Sequence, residues 1–277
     1  GGHDHYCGSV AAGLARGGRV VNSLGTAESI HTLLEGPFRP SPALRSFQFG
    51  KYLSAERTYV DAGLLASGQV VDWGEKRFAS LQDWDEPSSP RSVPHREIVQ
   101  TLKGLPPQEE PLFFLPHLRG GGYPDWDPDS RGALIGLRPS HTARHILKAV
   151  IEGLCFETRK VLEAMKGIAG QSVEKIVAIG GGARNEFWMQ TKADVTNLTV
   201  EVPAAEESTL LGAALLAGIA LEVYRDFGDA AELEHPDLQR DDGRRDRHGH
   251  ERDLQVPGGR HAARGRAPAP PRHRAPR

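Results

Sequence analysis

Residues 175–190 read Lys175-Ile-Val-Ala-Ile-Gly-Gly-Gly-Ala-Arg-Asn-Glu-Phe-Trp-Met-Gln190. Residues 176–179 are apolar and rich in β-branched side chains, a pattern typical of a fully buried strand. Three glycines follow at residues 180–182, where the backbone can turn tightly and approach a ligand because no Cβ stands in the way. A segment with helical spacing begins at Asn185. Strand, glycine turn and helix together place a helix N-terminus where a nucleotide can bind, although glycine-rich turns also serve close packing alone.

The composition is that of an ordinary globular protein. With 277 residues the chain can bury a sizeable core in one domain, or form two small domains. Its net charge is −2, so no whole-molecule field indicates a nucleic-acid or membrane partner. Two distant cysteines, Cys7 and Cys155, indicate a reduced, cytoplasmic protein, and no apolar run is long enough to span a bilayer. The chain starts with Gly1 rather than methionine, within a glycine turn, so we expect a fragment of a longer protein.

The opening residues, Gly1-Gly-His-Asp-His-Tyr-Cys-Gly-Ser-Val-Ala-Ala-Gly13, predict a glycine turn followed by a helix of small residues. Asp4 would stand at this turn, where its carboxylate could accept a proton from a substrate hydroxyl as a general base. Asp is also a very common helix cap, and the residues themselves leave both roles open.

Two histidine pairs raise the question of a metal site. His3 and His5 flank Asp4, and His141 and His145 stand four residues apart on a predicted helix. Neither pair has further ligands with suitable spacing, and the sequence between His141 and His145 lacks the glutamate of a zinc protease. We therefore expect surface histidines and no metal ligand in this chain.

The rest of the chain predicts alternating strands and helices. Ser140 is expected to cap a long helix that Gly167 ends. The strand at residues 19–24 is followed by Gly25 and Thr26, which can cradle a phosphate or form an ordinary turn. Strands are expected at residues 19–24, 46–53, 57–65, 112–115 and 198–202, the long helix at 141–166 and a further helix at 206–224.

The composition changes abruptly beyond Phe227. Residues 229–277 have many arginines, several prolines, no lysine and almost no large apolar side chains, so they cannot form a core. A nucleic-acid-binding tail is one interpretation. We favour a disordered extension, and a shifted reading frame of GC-rich DNA also yields such a composition. We thus expect a domain at residues 1–228 and a disordered Arg/Pro-rich tail at residues 229–277.

Several stretches together resemble the carboxy-terminal half of FGGY-family carbohydrate kinases. The resemblance runs from Gly1 to about Tyr224 and depends on the order and spacing of motifs that are individually unspecific. These motifs are Gly1-Gly-His-Asp4, Ser23-Leu-Gly-Thr-Ala-Glu28, Leu115-Pro-His-Leu118, Trp126-Asp-Pro-Asp-Ser-Arg-Gly132, Gly180-Gly-Gly-Ala-Arg-Asn185 and Glu206-Glu-Ser-Thr-Leu-Leu-Gly-Ala-Ala-Leu-Leu-Ala-Gly218.

The resemblance implies an α/β fold of the actin-like ATPase (ribonuclease H-like) type, in which a mixed sheet carries helices on both faces. In the family, two such domains close on ATP and a sugar. This chain would hold the second domain, with residues 1–13 as the end of the first. The implied activity is ATP-dependent phosphorylation of a sugar or polyol hydroxyl, with ATP and Mg²⁺ as cofactors and no nucleic-acid or membrane partner. The oligomeric state stays open.

Individual site residues follow from the same resemblance. Asp4 matches the family's general base, and Gly25 and Thr26 match a phosphate loop. The family's first phosphate loop, its Mg²⁺-anchoring aspartate and most sugar contacts belong to an amino-terminal domain outside these 277 residues, so we expect little or no activity from this chain alone. The turn that embraces the adenosine is matched by Gly180, Gly181, Gly182, Ala183 and Asn185.

Two other functions remain as alternatives. A dinucleotide-binding domain is suggested by Gly180-x-Gly182 after a strand, with Glu201 about twenty residues further on. Against it, Asn185 occupies a position where close helix–strand packing favours glycine or alanine. The other alternative is a non-catalytic fragment that binds nucleotide weakly.

Overall fold

A mixed seven-stranded sheet forms the centre of the part of the chain that the structure describes. The structure is a computed structural model, and it describes residues 2–34, 36, 45–53, 57–78, 94–105, 110–169, 172–232 and 252–254. Its strands are β1 (Arg19–Leu24), β2 (Glu28–Leu33), β3 (Gln48–Lys51), β4 (Thr58–Leu64), β5 (Phe113–Leu115), β6 (Ala133–Ile135), β7 (Lys175–Ile179), β8 (Thr199–Val202) and β9 (Arg252–Leu254). The spatial order of the large sheet is β3-β4-β2-β1-β7-β8-β9, and β5 pairs with β6 separately.

The middle of the large sheet is parallel and its flanks are antiparallel. Strand β7 pairs in parallel with β1 on one side and with β8 on the other, whereas the β1–β2, β2–β4, β3–β4 and β8–β9 pairs are antiparallel. The predicted α/β class with a mixed sheet is therefore confirmed.

Helices cover both faces of the sheet, and the alternation of side chains along β7 shows how. Ile176 and Ala178 are buried in a core that includes the apolar side of α4 and α5, while Val177 and Ile179 are buried against α1 and α6 on the opposite face. The helices are α1 (Asp4–Ala11), α2 (Gly68–Phe78), α3 (His95–Lys103), α4 (Ala143–Ala169), α5 (Glu186–Thr196), α6 (Ser208–Ala220) and α7 (Phe227–Glu232).

The long helix differs from its prediction at both ends. It begins at Ala143, so Thr142 rather than Ser140 precedes it, and the Thr142 N–H donates to Nδ1 of His145 at 2.9 Å. Gly167 does not end the helix, which continues to Ala169. One interior glycine costs a helix only about 1 kcal/mol, which packing along the apolar side of α4 outweighs.

The carboxy-terminal boundary also differs from its prediction. Residues 229–232 continue α7, whose Ala230 is fully buried, and the ring of Phe227 lies 6.1 Å from that of Tyr52. Residues 252–254 pair with β8 as β9. Helix α7 therefore extends past the boundary expected at residue 228, and Ala230 packs on the α1 side of the sheet; the division into a domain and a disordered tail stays a prediction. The tail prediction for residues 233–251 and 255–277 lies outside the described residues.

None of the helices described here is long and apolar enough to cross a membrane.

Candidate active site

Two turns leave the sheet side by side, because β1 and β7 are parallel neighbours. Ser23 of β1 pairs with Ile179 of β7, so the segments that follow both residues emerge at the same edge. Ligands bind at such carboxyl edges of open α/β sheets. At Gly180 φ is +88°, and a Cβ there would lie 2.8 Å from the carbonyl oxygen of Leu24. The first residue after β7 must therefore be glycine for the two turns to approach each other.

A cavity of about 900 Å³ opens where the two turns meet. Gly25 and Thr26 line it from the β1 side, and Gly181, Gly182 and Asn185 line it from the β7 side. The sequence predicts all five as ligand-binding residues, and the structure brings them together. Gly180 and Ala183 were also selected, but they shape the turn rather than the cavity wall: the Ala183 N–H donates to the Gly180 carbonyl at 3.1 Å.

The glycines of the β7 turn have different tasks. A Cβ on Gly182 would lie 2.9 Å from both the Leu24 Cβ and the Trp188 ring, so this glycine permits close packing. A Cβ on Gly181 would meet nothing within 4 Å, so Gly181 faces open space in the cavity. Asn185, which is almost fully buried, ends the turn, and its Oδ1 accepts from the Trp188 N–H at 3.0 Å as the N-cap of α5.

The turn after β1 is anchored to the start of α2. The N–H groups of Ser67 and Gly68 donate to the carbonyls of Thr26 and Gly25, at 2.9 and 3.0 Å. A Cβ on Gly68 would lie only 2.4 Å from the Gly25 oxygen, so a larger residue could not maintain this contact. The position of the Gly25–Thr26 pair therefore depends on α2 as well as on β1.

Helix α2 forms the cavity wall that sequence reasoning missed. It contributes Lys76 and Arg77 together with Glu75, whose Oε1 lies 2.8 Å from Nδ1 of His95. Burial raises the pKa of Glu75, and the nearby His95 opposes this rise. The apolar spacing of Val70, Val71 and Phe78 would have indicated the helix, but Gly68 and Gly74 within eleven residues weaken the signal.

Asp4 lies outside the set of cavity-lining residues. It is the first residue of α1, its side chain is 62% exposed, and its Oδ1 accepts from the His5 N–H at 3.0 Å and contacts Nδ1 of His3. Helix α1 is nevertheless fastened to the edge of the sheet that carries the cavity, since Nδ1 of His5 lies 2.8 Å from Oγ of Ser23. Burial lowers the pKa of His5, which favours its neutral form at this contact.

The ligand atoms of His3, Asp4 and His5 lie within 4.8 Å of one another, as a metal site would require. The Ser23 and Asp4 contacts of these histidines account for their present positions, and the expectation that they bind no metal stays a prediction. His141 and His145 support the start of α4 instead, because Nδ1 of His141 accepts from the Arg138 N–H at 3.0 Å.

Comparisons with known proteins identify the family. Residues 20–221 match the family model described as "FGGY family of carbohydrate kinases, C-terminal domain". This chain belongs to the FGGY family of carbohydrate kinases. It is similar to the xylulose kinase of Bacillus subtilis, with 30% identity over 233 residues, which is 84% of this chain and 44% of that protein. It is also similar to the glycerol kinase of Staphylococcus epidermidis, with 31% identity over 218 residues, 78% of this chain and 41% of that protein.

The solved structures agree with the fold. The xylulose kinase of Rhodospirillum rubrum superposes with a TM-score of 0.67 at 24% identity, covering 82% of this chain and 43% of that chain. The fold is therefore that of the actin-like ATPases, as the resemblance implied. The present chain spans less than half the length of each FGGY relative named here. FGGY kinases use ATP, and Mg²⁺ is general for such kinases.

Glu201 does not serve the dinucleotide alternative in this FGGY domain. Its side chain is 2% exposed, and its Oε2 accepts from Nζ of Lys175 at 2.8 Å. Lys175 is the first residue of β7, so this pair lies toward the sheet edge opposite the glycine turn. The acid that a dinucleotide site requires beside the cavity is thus engaged elsewhere.

A buried ion pair lies beneath the cavity, and the sequence analysis did not predict it. Nζ of Lys192 lies 2.6 Å from Oε1 of Glu28, and neither side chain has any exposed area. Lys192 lies on the buried face of α5, four residues after Trp188, but the sequence does not indicate its partner, which lies 164 residues away.

Proposed function

We propose that this chain is the nucleotide-binding half of a kinase that transfers the γ-phosphoryl group of ATP to a hydroxyl of a sugar or polyol. The observation that carries the proposal is the shared cavity, which brings the turn after β1 and the turn after β7 within reach of one ligand. Family membership and the names of the similar proteins, xylulose kinase and glycerol kinase, support the same reaction. The remainder of the active site is proposed to come from residues outside this chain.

The cavity suits an adenine nucleotide in size. Its volume of about 900 Å³ lies within the range of about 300–1,000 Å³ that small-ligand pockets usually have. We assign the adenosine to the turn from Gly180 through Gly181, Gly182 and Ala183 to Asn185, where the open space above Gly181 leaves room for it.

We assign the phosphates to Gly25 and Thr26. Lys76 and Arg77 on the α2 wall offer cationic groups to the phosphates, beside the acids Asp72 and Glu75. Mg²⁺, when bound, supplies charge neutralisation at the phosphates. The acids that line the cavity are Asp72 and Glu75, and His95 engages Glu75. As the family resemblance implies, we propose that the metal anchor lies outside this chain.

Asp4 is proposed to be the general base. A carboxylate oxygen of Asp4 would accept the proton of the substrate hydroxyl while the hydroxyl oxygen bonds to the γ-phosphorus and the bond to the leaving ADP oxygen breaks. The exposed carboxylate of Asp4 is accessible to a substrate. The contact between His5 and Ser23 holds α1 beside the end of β1. The substrate class is a small hydroxylated molecule, and we propose no nucleic-acid or membrane partner.

We propose that residues 1–13 are the end of the first kinase domain. Helix α1 within this segment packs on the α6 side of the sheet. Cys7 and Cys155 are both free and buried, which fits the reduced cytoplasmic setting that we propose.

The test measures binding of ADP, ATP and NAD to the 277-residue chain by calorimetry. Binding of ADP and ATP without NAD is expected. Preference for NAD would overturn the nucleotide assignment. For the transfer reaction, we expect the chain fused to an amino-terminal kinase domain to phosphorylate xylulose or glycerol. The chain alone should not do so. Nucleotide binding without transfer by the fusion would favour the alternative of a non-catalytic nucleotide-binding fragment.

A further inference from the structure

A buried polar network lies directly beneath the Gly25–Thr26 turn. Its centre is the Lys192–Glu28 pair, and each partner makes further hydrogen bonds. Nζ of Lys192 donates to Oδ1 of Asn22 at 2.6 Å and to Oγ1 of Thr158 at 3.1 Å, so all three of its donors are used. The carboxylate of Glu28 accepts from Asn22, from Thr158 and from Ser67.

The members of this network flank the turn in the sequence. Asn22 precedes it on β1 and Glu28 follows it as the first residue of β2, and Nδ2 of Asn22 donates to Oε1 of Glu28 at 3.0 Å. The two ends of the turn are thus bonded to each other and to one ammonium group. Lys192 lies on α5, whose N-cap is Asn185, so the same network reaches the helix that follows the β7 turn.

One member transmits this anchoring to the turn itself. Oγ of Ser67 donates to Oε2 of Glu28 at 2.8 Å, while the Ser67 N–H donates to the Thr26 carbonyl at 2.9 Å. The next N–H, that of Gly68, donates to the Gly25 carbonyl at 3.0 Å. A continuous hydrogen-bonded path therefore runs from Lys192 through Glu28 and Ser67 to the turn.

A contribution to the stability of the fold does not by itself explain such a buried ion pair. Removing two charges from water is costly, and well-packed apolar residues in place of a buried ion pair are often as stable or more stable. Polar networks that are fully satisfied fix one arrangement of the groups they join. The arrangement fixed here is that of the turn.

We propose that Lys192 and Glu28 are positioning residues that, through Ser67, hold the Gly25–Thr26 turn in the geometry that binds the nucleotide phosphates. This inference rests on the proposed function for the identity of the ligand. The part that concerns the turn can be measured without a ligand.

The first experiment compares Ser67→Ala with Ser208→Ala in the full chain by amide hydrogen exchange. Ser208 is a matched control, since it is also a buried serine at the start of a helix, and its Oγ donates to the nearby Ala205 carbonyl. Exchange of the Ser67 (now Ala), Gly68 and Gln69 amides should accelerate at least about tenfold in Ser67→Ala, with no change at these amides in Ser208→Ala. Unchanged exchange at residues 67–69 in Ser67→Ala would overturn the inference.

The second experiment measures the affinities for ADP and for adenosine. Ser67→Ala should weaken ADP binding about tenfold or more and adenosine binding less than about twofold, because the adenosine is assigned to the β7 turn. Equal losses for both ligands, or none, would mean that Ser67 has only a structural role and would overturn the inference. Absence of ADP binding by the unmodified chain would instead overturn the proposed function, and hydrogen exchange would still decide whether Ser67 holds the turn.

The third experiment tests the ion pair itself. Single substitutions leave one buried charge without its partner and can prevent folding, so the double variant Glu28→Gln/Lys192→Met is used. It should fold and show the same selective loss of ADP affinity over adenosine affinity. The control is Lys148→Met/Glu152→Gln, which removes the ion pair between these two residues of α4 and should leave the ratio of the two affinities unchanged. A Glu28→Gln/Lys192→Met variant with an unchanged ratio would overturn the positioning role of the pair.

Discussion

Asp61 and His31 share one hydroxyl. Oγ of Ser29 donates to Oδ1 of Asp61 at 2.8 Å and lies 3.2 Å from Nδ1 of His31, so the Nδ1 proton of neutral His31 points at that oxygen. Tyr6 completes the group from α1, donating from its hydroxyl to the other oxygen of Asp61 at 3.3 Å. These residues lie on the face of the sheet that α1 covers, so they join the helix that carries Asp4 to strands β2 and β4.

This arrangement predicts opposite pH effects from two neighbours. Burial raises the pKa of Asp61 from 3.8 to about 6, so between these pH values the folded chain binds more protons than the unfolded chain, and stability falls as the pH rises. Burial, and secondarily His5, lowers the pKa of His31 from 6.5 to about 3, so the unfolded chain binds more protons and stability rises with pH. In the unmodified chain the two contributions largely cancel between about pH 4 and 6.

The substitutions Asp61→Asn and His31→Gln should separate these contributions. Relative to the unmodified chain, Asp61→Asn should gain stability from pH 4 to 6 and His31→Gln should lose it, each by about 1–3 kcal/mol across the window. Urea unfolding at several pH values measures both slopes. Parallel curves for the three proteins would show that neither group has a shifted pKa.

The β7 turn gives a prediction about the cavity. Gly181→Leu places a side chain in open space, so the free energy of unfolding should change by less than about 0.5 kcal/mol while ADP affinity falls at least about tenfold. Calorimetry with ADP measures the affinity. Gly104→Leu, at an exposed position after α3, serves as the control for an added leucine outside the cavity.

The neighbouring glycine should respond in the opposite way. Gly182→Ala brings a Cβ within 2.9 Å of Leu24 and Trp188, so it should lower the free energy of unfolding by about 1–3 kcal/mol. If Gly181→Leu binds ADP as tightly as the unmodified chain does, the assignment of the adenosine to this turn is wrong.

The carboxy-terminal helix can be tested at Phe227. Phe227→Ala removes the ring that packs on Tyr52, and because Phe227 is only partly buried the loss should be about 1–2 kcal/mol rather than the 3–5 of a fully buried phenylalanine. Leu221→Ala, at a side chain that is 76% exposed, should change the free energy of unfolding by less than about 0.5 kcal/mol. Equal effects of the two substitutions would place the end of the fold before α7, as the composition suggested.

The extent to which the sequence predicted the site follows from the range of the interactions. The strand at residues 176–179, the glycine turn and the helix that begins near Asn185 are local patterns, and each of them lies where it was expected. That the turns after β1 and β7 share a cavity could be expected from the rule for parallel strand ends, and it is what the structure has.

The parts that could not be predicted depend on distant contacts. Gly74 weakens the helical pattern of α2, yet it allows α4 to approach, since a Cβ there would lie 3.0 Å from the Leu147 side chain. The Lys192–Glu28 pair likewise joins α5 to β2 across 164 residues. Neither contact leaves a periodic signal, because its partner is chosen by tertiary packing.

One substitution can distinguish the role of Asp4 as a base from a role in nucleotide binding. Asp4→Asn keeps the size of the side chain and removes the proton acceptor. In the chain fused to an amino-terminal kinase domain, kcat should fall about 10²–10⁴-fold, or roughly 3–5 kcal/mol of barrier. ADP affinity should remain within about twofold, since Asp4 is outside the cavity-lining residues that we assign to the nucleotide.

Asp194→Asn provides the matched control, because Asp194 is also an exposed acid on a helix and is bonded there to Gln190. Steady-state assays with xylulose and glycerol should give unchanged kcat for this control. An Asp4→Asn fusion that retains full kcat would exclude Asp4 as the base. A loss of ADP affinity equal to the loss of kcat would instead mean that the substitution disturbs the fold around α1, where the contact between His5 and Ser23 reaches the end of β1.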